Sequence, residues 1–173
     1  MNRSQFEHAI RAAAAVAGER EVLVIGSQAI HASIAGELPE AALRSVEADI
    51  AFCDDPDDSK ADLVDSSIGE ASVFHDTYGF YAQGVSIATA ILPRGWEARL
   101  VAFESPSTGG VVARCLSPGD LWVSKALAGR PKDLELCRWL LSSGVVRPAE
   151  VARLIEDTDT PDSKKELASS LLQ

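Results

Sequence analysis

Apolar and polar positions alternate along this chain in two rhythms, and the change from one to the other marks its elements. From Ser4 to Gly18, "SQFEHAIRAAAAVAG" spaces its apolar residues for a helix, and Ser4 with Glu7 three residues on predicts a capping-box start. "EVLVIG" (21–26) is a short continuous run rich in β-branched residues, which predicts a buried strand, and "SQAIHASIAG" returns to helical composition until Gly36. Gly26-Ser27 is therefore a strand-to-helix turn. Beyond Pro39, "SVEADIAF" (45–52) places Val46, Ala48, Ile50 and Phe52 on one face of a second strand. Ser45, Glu47, Asp49 and Ala51 share the other, so both carboxylates point the same way.

"CDDPDDSKAD" reads as an acidic loop around Pro56, 61–68 as a short helix, and "VFHDTYGFYAQG" as a mixed aromatic stretch. Three strands are predicted after it, at 85–92, 98–103 and 111–116, divided by the turn groups "PRG" and "SPSTGG". Pro118 to Gly129 and Pro131 to Gly144 each begin with proline and stop at glycine, as helices do; "PAEVARLIEDT" and "DSKKELASSLL" are two more amphipathic segments. The expected fold is α+β, a mixed sheet flanked by helices. It divides into a core over 1–116 and a C-terminal helical part over 117–173, packed together as one compact unit.

Charge sharpens this outline. A net charge of −10 argues against broad nucleic-acid binding, which works by neutralising phosphates. The average hides an asymmetry, with eleven acids against Arg44 and Lys60 from Glu40 to Asp76, and seven bases against four acids from Arg114 to Arg153. An acidic, metal-binding side facing a basic, phosphate-binding side has this pattern, as does an unevenly decorated surface. With no signal peptide and no membrane-spanning run, the expected location is the cytoplasm. Cys53, Cys115 and Cys137 lack metal or disulfide spacing and read as reduced, mostly packed thiols.

Glu47 and Asp49 are the first candidates for chemistry. Two carboxylates at i and i+2 repel unless a cation sits between them, and Mg²⁺ takes a pair of carboxylates together with phosphate oxygens. A solvent-facing acidic pair is the alternative. At Gly26-Ser27 the start of a helix offers N–H groups and a hydroxyl to a phosphate, although glycine and serine are ordinary residues for such a turn. Lys125 lies beside the apolar face of its helix, with Arg130 and Lys132 following, and Asp133 sits in a first helical turn. His31 reads as a half-buried scaffold residue, His8 as helix surface and His75 as aromatic packing. "DDPDD" lacks the glycine and final glutamate of a calcium loop.

The order "VIGSQAI … EADIAF" resembles the strand–Gly-[Gly/Ser]–helix–[Asp/Glu]-x-[Asp/Glu]-strand signature of the polymerase-β-like nucleotidyltransferases. "SKALAGRPKDLEL" (124–136) is similar to the Lys…Arg-x-Lys-Asp helical motif of their minimal branch, which contains AbiEii-type toxins. The resemblance implies that Gly26 and Ser27 contact nucleotide phosphates and that Glu47 and Asp49 hold Mg²⁺ or Mn²⁺. It also implies that Lys125, with Arg130, reaches the triphosphate, while Asp133 faces the same cleft. Two departures accompany it: glutamate rather than aspartate at position 47, and no evident third carboxylate, for which Glu97 is the nearest substitute.

The expected activity is transfer of an NMP group from an NTP to a hydroxyl of an RNA, a protein or a small molecule. An antitoxin is a candidate partner by the same resemblance. The alternatives are a catalytically silent nucleotide-binding or protein-interaction module of the same fold, and an RNA-binding regulator.

Overall fold

The computed structural model describes residues 1–172, so Gln173, the last residue of the predicted helical part, lies outside the description. Helix α1 (Arg3–Ala17) begins two residues earlier than the predicted Ser4 cap, at the N-cap Asn2. Its capping box is formed by Asn2 and Gln5, whose side chains bond each other's backbone N–H, and not by Ser4 and Glu7. The Met1 ammonium, buried beside it, donates to the carbonyls of Ala42 and Leu43.

Strand β1 (Glu21–Val24) is followed by a 3₁₀ helix, Ser27–Ala32, in place of the α-helix expected up to Gly36. Gln28, Ala29, Ile30 and His31 are all buried, so the middle of this winding is enclosed in the core. A helix the composition did not predict, α2 (Glu40–Arg44), leads into β2 (Glu47–Ala51). Then come α3 (Ser59–Ile68), α4 (Val73–Tyr78) and β3 (Tyr81–Gly84), the last two within the aromatic stretch.

The strand expected over 85–92 does not form; after Gly84 the chain makes a 3₁₀ turn at Ile87–Thr89. A Cβ on Gly84 would lie 1.8 Å from the Ala61 carbonyl oxygen, so the chain is pressed against α3 where it leaves the sheet. The strand expected over 98–103 is reduced to β4 (Val101–Phe103), preceded by the 3₁₀ turn Trp96–Arg99, and β5 (Val112–Cys115) lies where its pattern predicts. Four helices follow: α5 (Pro118–Ala128), α6 (Pro131–Ser142), α7 (Pro148–Glu156) and α8 (Asp162–Ser170). No helix among the described residues is long and apolar enough to cross a membrane.

The five strands form one mixed sheet in the order β3-β2-β1-β5-β4. β1 runs antiparallel to β2 and parallel to β5, while β2 and β3 are parallel. α1 and α3 pack against the β2–β3 side of the sheet, where Ala48 and Ile50 are fully buried. Period-2 alternation turns Glu47 and Asp49 to the opposite face, toward α5 and α6. Trp122 of α5 is buried to 0% exposure and its indole N–H donates to the Cys137 carbonyl of α6 at 3.0 Å, locking these two helices together beside that face.

Candidate functional site

β1 ends against β2. The Ile25 N–H donates to the Asp49 carbonyl at 3.2 Å, and the next residue, Gly26, passes directly over the Asp49 side chain. A Cβ at Gly26 would lie 1.6 Å from Asp49 Oδ2. Gly26 has φ −93°, a value open to any residue, so glycine is required here by the carboxylate and not by backbone conformation.

Asp49 opens into a cleft of about 370 Å³. Lys125 and Ser124 of α5, Arg130 at the start of α6 and Lys164 of α8 line it together with Ile25. The segment after β3 forms a further wall with Val85, Thr89 and Ile91. The residues predicted to form a strand over 85–92 therefore give a cleft wall of apolar side chains and one hydroxyl. Lys125 is only 9% exposed; its ammonium is 3.6 Å from Asp133. Arg130 bonds the other oxygen of Asp133 at 2.6 Å. Asp133, itself buried, thus holds both cations at the cleft.

Glu47 lies on the same strand face but borders an adjoining depression of about 490 Å³, shared with Val46, Arg44 and Lys132. Its carboxylate accepts from the Lys132 ammonium at 3.1 Å and from the Tyr81 hydroxyl at 3.2 Å. The parallel register sets Tyr81 beside Glu47 and Gln83 beside Asp49. The strand flanking the acidic pair thus offers a phenol and an amide, no third carboxylate, and the Gln83 amide is bonded to Asp65 of α3. Glu97 sits on its 3₁₀ turn and is not among the residues lining either depression.

The two acids differ in character. Burial, helped by the Glu47 charge, raises the Asp49 carboxyl above its ordinary value, although Lys125, Lys132 and Arg130 pull the other way. Burial also works against ionisation of Glu47, but its bond to Lys132, the Tyr81 hydroxyl and the Lys125 charge outweigh that and hold it below its ordinary value. Burial and the Glu47 charge push the Tyr81 phenol up to about 12.

Asp49 and Glu47 are the two carboxylates that could hold a divalent cation here. The half-buried Asp49 carboxylate makes no hydrogen bond or ion pair among the described residues, and desolvation raises the cost of its charge. No group of three or more His, Cys, Asp or Glu among the described residues is arranged to hold a metal. Two carboxylates with the remaining positions left to water and phosphate oxygens is the pattern that suits Mg²⁺.

Of the residues marked out in the sequence, Asp49, Lys125 and Arg130 line one cleft, Gly26 abuts Asp49, and Asp133 stands behind the cations. Glu47 faces the neighbouring depression, and the Ser27 hydroxyl is 3.4 Å from the Gln28 amide at the start of the 3₁₀ helix. Tyr81 and Lys164 carried no signal of their own. Tyr81 belongs to a run of aromatics in which packing and function look alike.

The histidines are structural. His31 is buried, stacked on Phe6 at 4.5 Å and bonded to Gln28, more enclosed than the half-buried position expected. His8 is not on an open helix surface, since Phe74, Tyr78 and Phe80 surround its ring. His75 packs on Tyr81 at 4.6 Å.

Compared with known proteins, residues 5–168 match a family model described as "nucleotidyltransferase of unknown function (DUF6036)". No curated protein and no solved structure shows significant similarity to the chain.

Proposed function

The chain belongs to this nucleotidyltransferase family, and from that premise we propose that it transfers an NMP group from an NTP to an acceptor hydroxyl with Mg²⁺ or Mn²⁺. The observation that carries the reading is the contact of Gly26 with Asp49 at a cleft also lined by Lys125 and Arg130. A carboxylate, a backbone turn and two cations on one small cavity suit a metal-bound polyphosphate.

In this reading the bond from the acceptor oxygen to the α-phosphorus forms as the bond to pyrophosphate breaks, and the hydroxyl proton leaves to solvent. Asp49 and Glu47 would hold the metal, whose chemistry is to neutralise phosphate oxygens and polarise the phosphorus. Lys125 and Arg130 bear on the departing pyrophosphate, where negative charge develops, and Asp133 fixes them there in advance. Lys132, bonded to Glu47, orients that carboxylate, and Tyr81 does so from the other side. The backbone at Gly26-Ser27, beside Asp49, would contact the phosphates. The location is the cytoplasm, and the likeness of "SKALAGRPKD" to AbiEii-type proteins extends the proposal to growth control with an antitoxin partner.

A second reading, a nucleotide-binding or protein-interaction module without transfer, is favoured by one observation: the strand beside the acidic pair offers Tyr81 and Gln83, not a third acid. Incubation with each α-labelled NTP, Mg²⁺ and RNA, protein and small-molecule acceptors decides between them. Transfer is expected to require the metal and to fall by about 10²-fold or more in Glu47→Gln and Asp49→Asn. Retained NTP binding with no label moved to any acceptor class establishes the silent module instead.

A further inference from the structure

Lys164 is the third residue of α8, in a segment that the sequence reading treats only as an amphipathic tail. It lines the cleft that holds Asp49, Lys125 and Arg130. We infer that Lys164 is a polyphosphate-binding residue, so that the last helix of the described chain is a functional wall of the nucleotide site. The inference deepens the transferase reading and rests on it.

Three observations converge on this residue. First, its charge stands where its own helix disfavours it. The start of a helix is its positive end, and α8 places both Lys164 and Lys165 in that first turn. Lys165 has a structural purpose, since its ammonium donates to the Glu156 carbonyl at the end of α7 at 2.9 Å. Lys164 makes no ion pair and no side-chain hydrogen bond among the described residues, and its direction is toward the cleft.

Second, the other two cations of the cleft are already shared. Lys125 and Arg130 both contact the single carboxylate of Asp133, so part of their charge is neutralised before any substrate arrives. Lys164 adds a cation with no such partner, on a different element and facing the same space.

Third, the start of α8 is fixed to the cleft wall. The chain between α7 and α8 pairs with the end of the 85–93 segment through a bridge of Pro93 with Thr158, and the Arg94 N–H donates to the Asp157 carbonyl at 3.1 Å. Thr158 is buried and its hydroxyl bonds the Leu154 carbonyl at 2.7 Å. Lys164 therefore follows an anchored connection, which holds its backbone near the cleft while the long side chain remains free to reach a phosphate.

Titration of the full chain with a Mg²⁺–NTP, and separately with inorganic tripolyphosphate as a base-free probe, tests this at two salt concentrations. Lys164→Gln is expected to weaken both ligands by about 3- to 10-fold and to flatten the salt dependence, because one screened charge contact is lost. Lys164→Arg should keep most of the affinity, and Lys165→Gln should bind as the parent does. In a transfer assay the Lys164→Gln effect should appear in KM with kcat nearly unchanged. Lys164→Gln binding both ligands within twofold of the parent, while Lys125→Gln binds them weakly, would overturn the inference and leave the transferase reading standing. A parent protein that binds neither ligand overturns both.

Discussion

A Cβ on Gly26 and the carboxylate of Asp49 cannot occupy the same place, and this steric fact ties the turn after β1 to the chemistry of β2. Gly26→Ala should therefore displace the Asp49 side chain instead of unfolding the protein, since its backbone angles suit alanine. We expect a loss of about 10²-fold in transfer rate with a cooperative thermal transition retained. Parent-like activity in that variant would show that Asp49 can move without consequence. Glu47 and Asp49, two residues apart, also illustrate how surroundings separate chemically similar groups. Glu47 is satisfied by Lys132 and Tyr81, whereas Asp49 is half-buried without a hydrogen bond and has its proton affinity raised.

Pairs of elements set the distances that single residues cannot. α5 supplies Lys125 and α6 supplies Asp133, and the buried Trp122–Cys137 hydrogen bond holds the two helices in register. Trp122→Phe removes the donor and leaves the Cys137 carbonyl short of its indole partner, at a cost of about 1–3 kcal/mol. Urea unfolding followed by circular dichroism should show the midpoint fall with the slope unchanged. No change in midpoint would mean that packing alone fixes the pair. The prolines at the starts of α5 and α6 made these helices legible in sequence, as did the glycine beyond each predicted end. The segment 85–92 misled for an equally physical reason. Its apolar alternation is genuine, but Gly84 against α3 turns the chain out of the sheet, and the apolar residues cover a cleft in place of a sheet face.

At the scale of the whole molecule, the lowered pKa of His31 predicts a loss of stability in acid. His31 of the 3₁₀ helix is buried against α1, and burial, then the Arg3 charge, push its pKa down to about 4, with the Met1 backbone opposing only in part. The folded state therefore binds fewer protons than the unfolded one between about 4 and the ordinary 6.5. Stability from this group is complete above the upper value and is lost as pH falls toward the lower, by roughly 3 kcal/mol in total. Asp49, whose shift is in the raised direction, works against that slope. Urea midpoints measured from pH 7.5 to 4.5 should decline, and His31→Phe should flatten the decline. An identical decline in the variant would assign the acid sensitivity elsewhere.

The sequence by itself determined what is local and periodic. Alternation at 45–52 put Glu47 and Asp49 on one face, and the β-branched run ending at Gly26 set the strand from which the turn departs. The tertiary structure alone decided which groups meet. Strand order placed Tyr81 and Gln83 beside the acids, the antiparallel β1–β2 pairing brought Gly26 over Asp49, and helix packing carried Lys164 from near the end of the chain to the cleft. Periodicity fixes the direction of a side chain relative to its own backbone. Contacts between residues far apart in sequence depend on how the core packs, and no short window of residues records that.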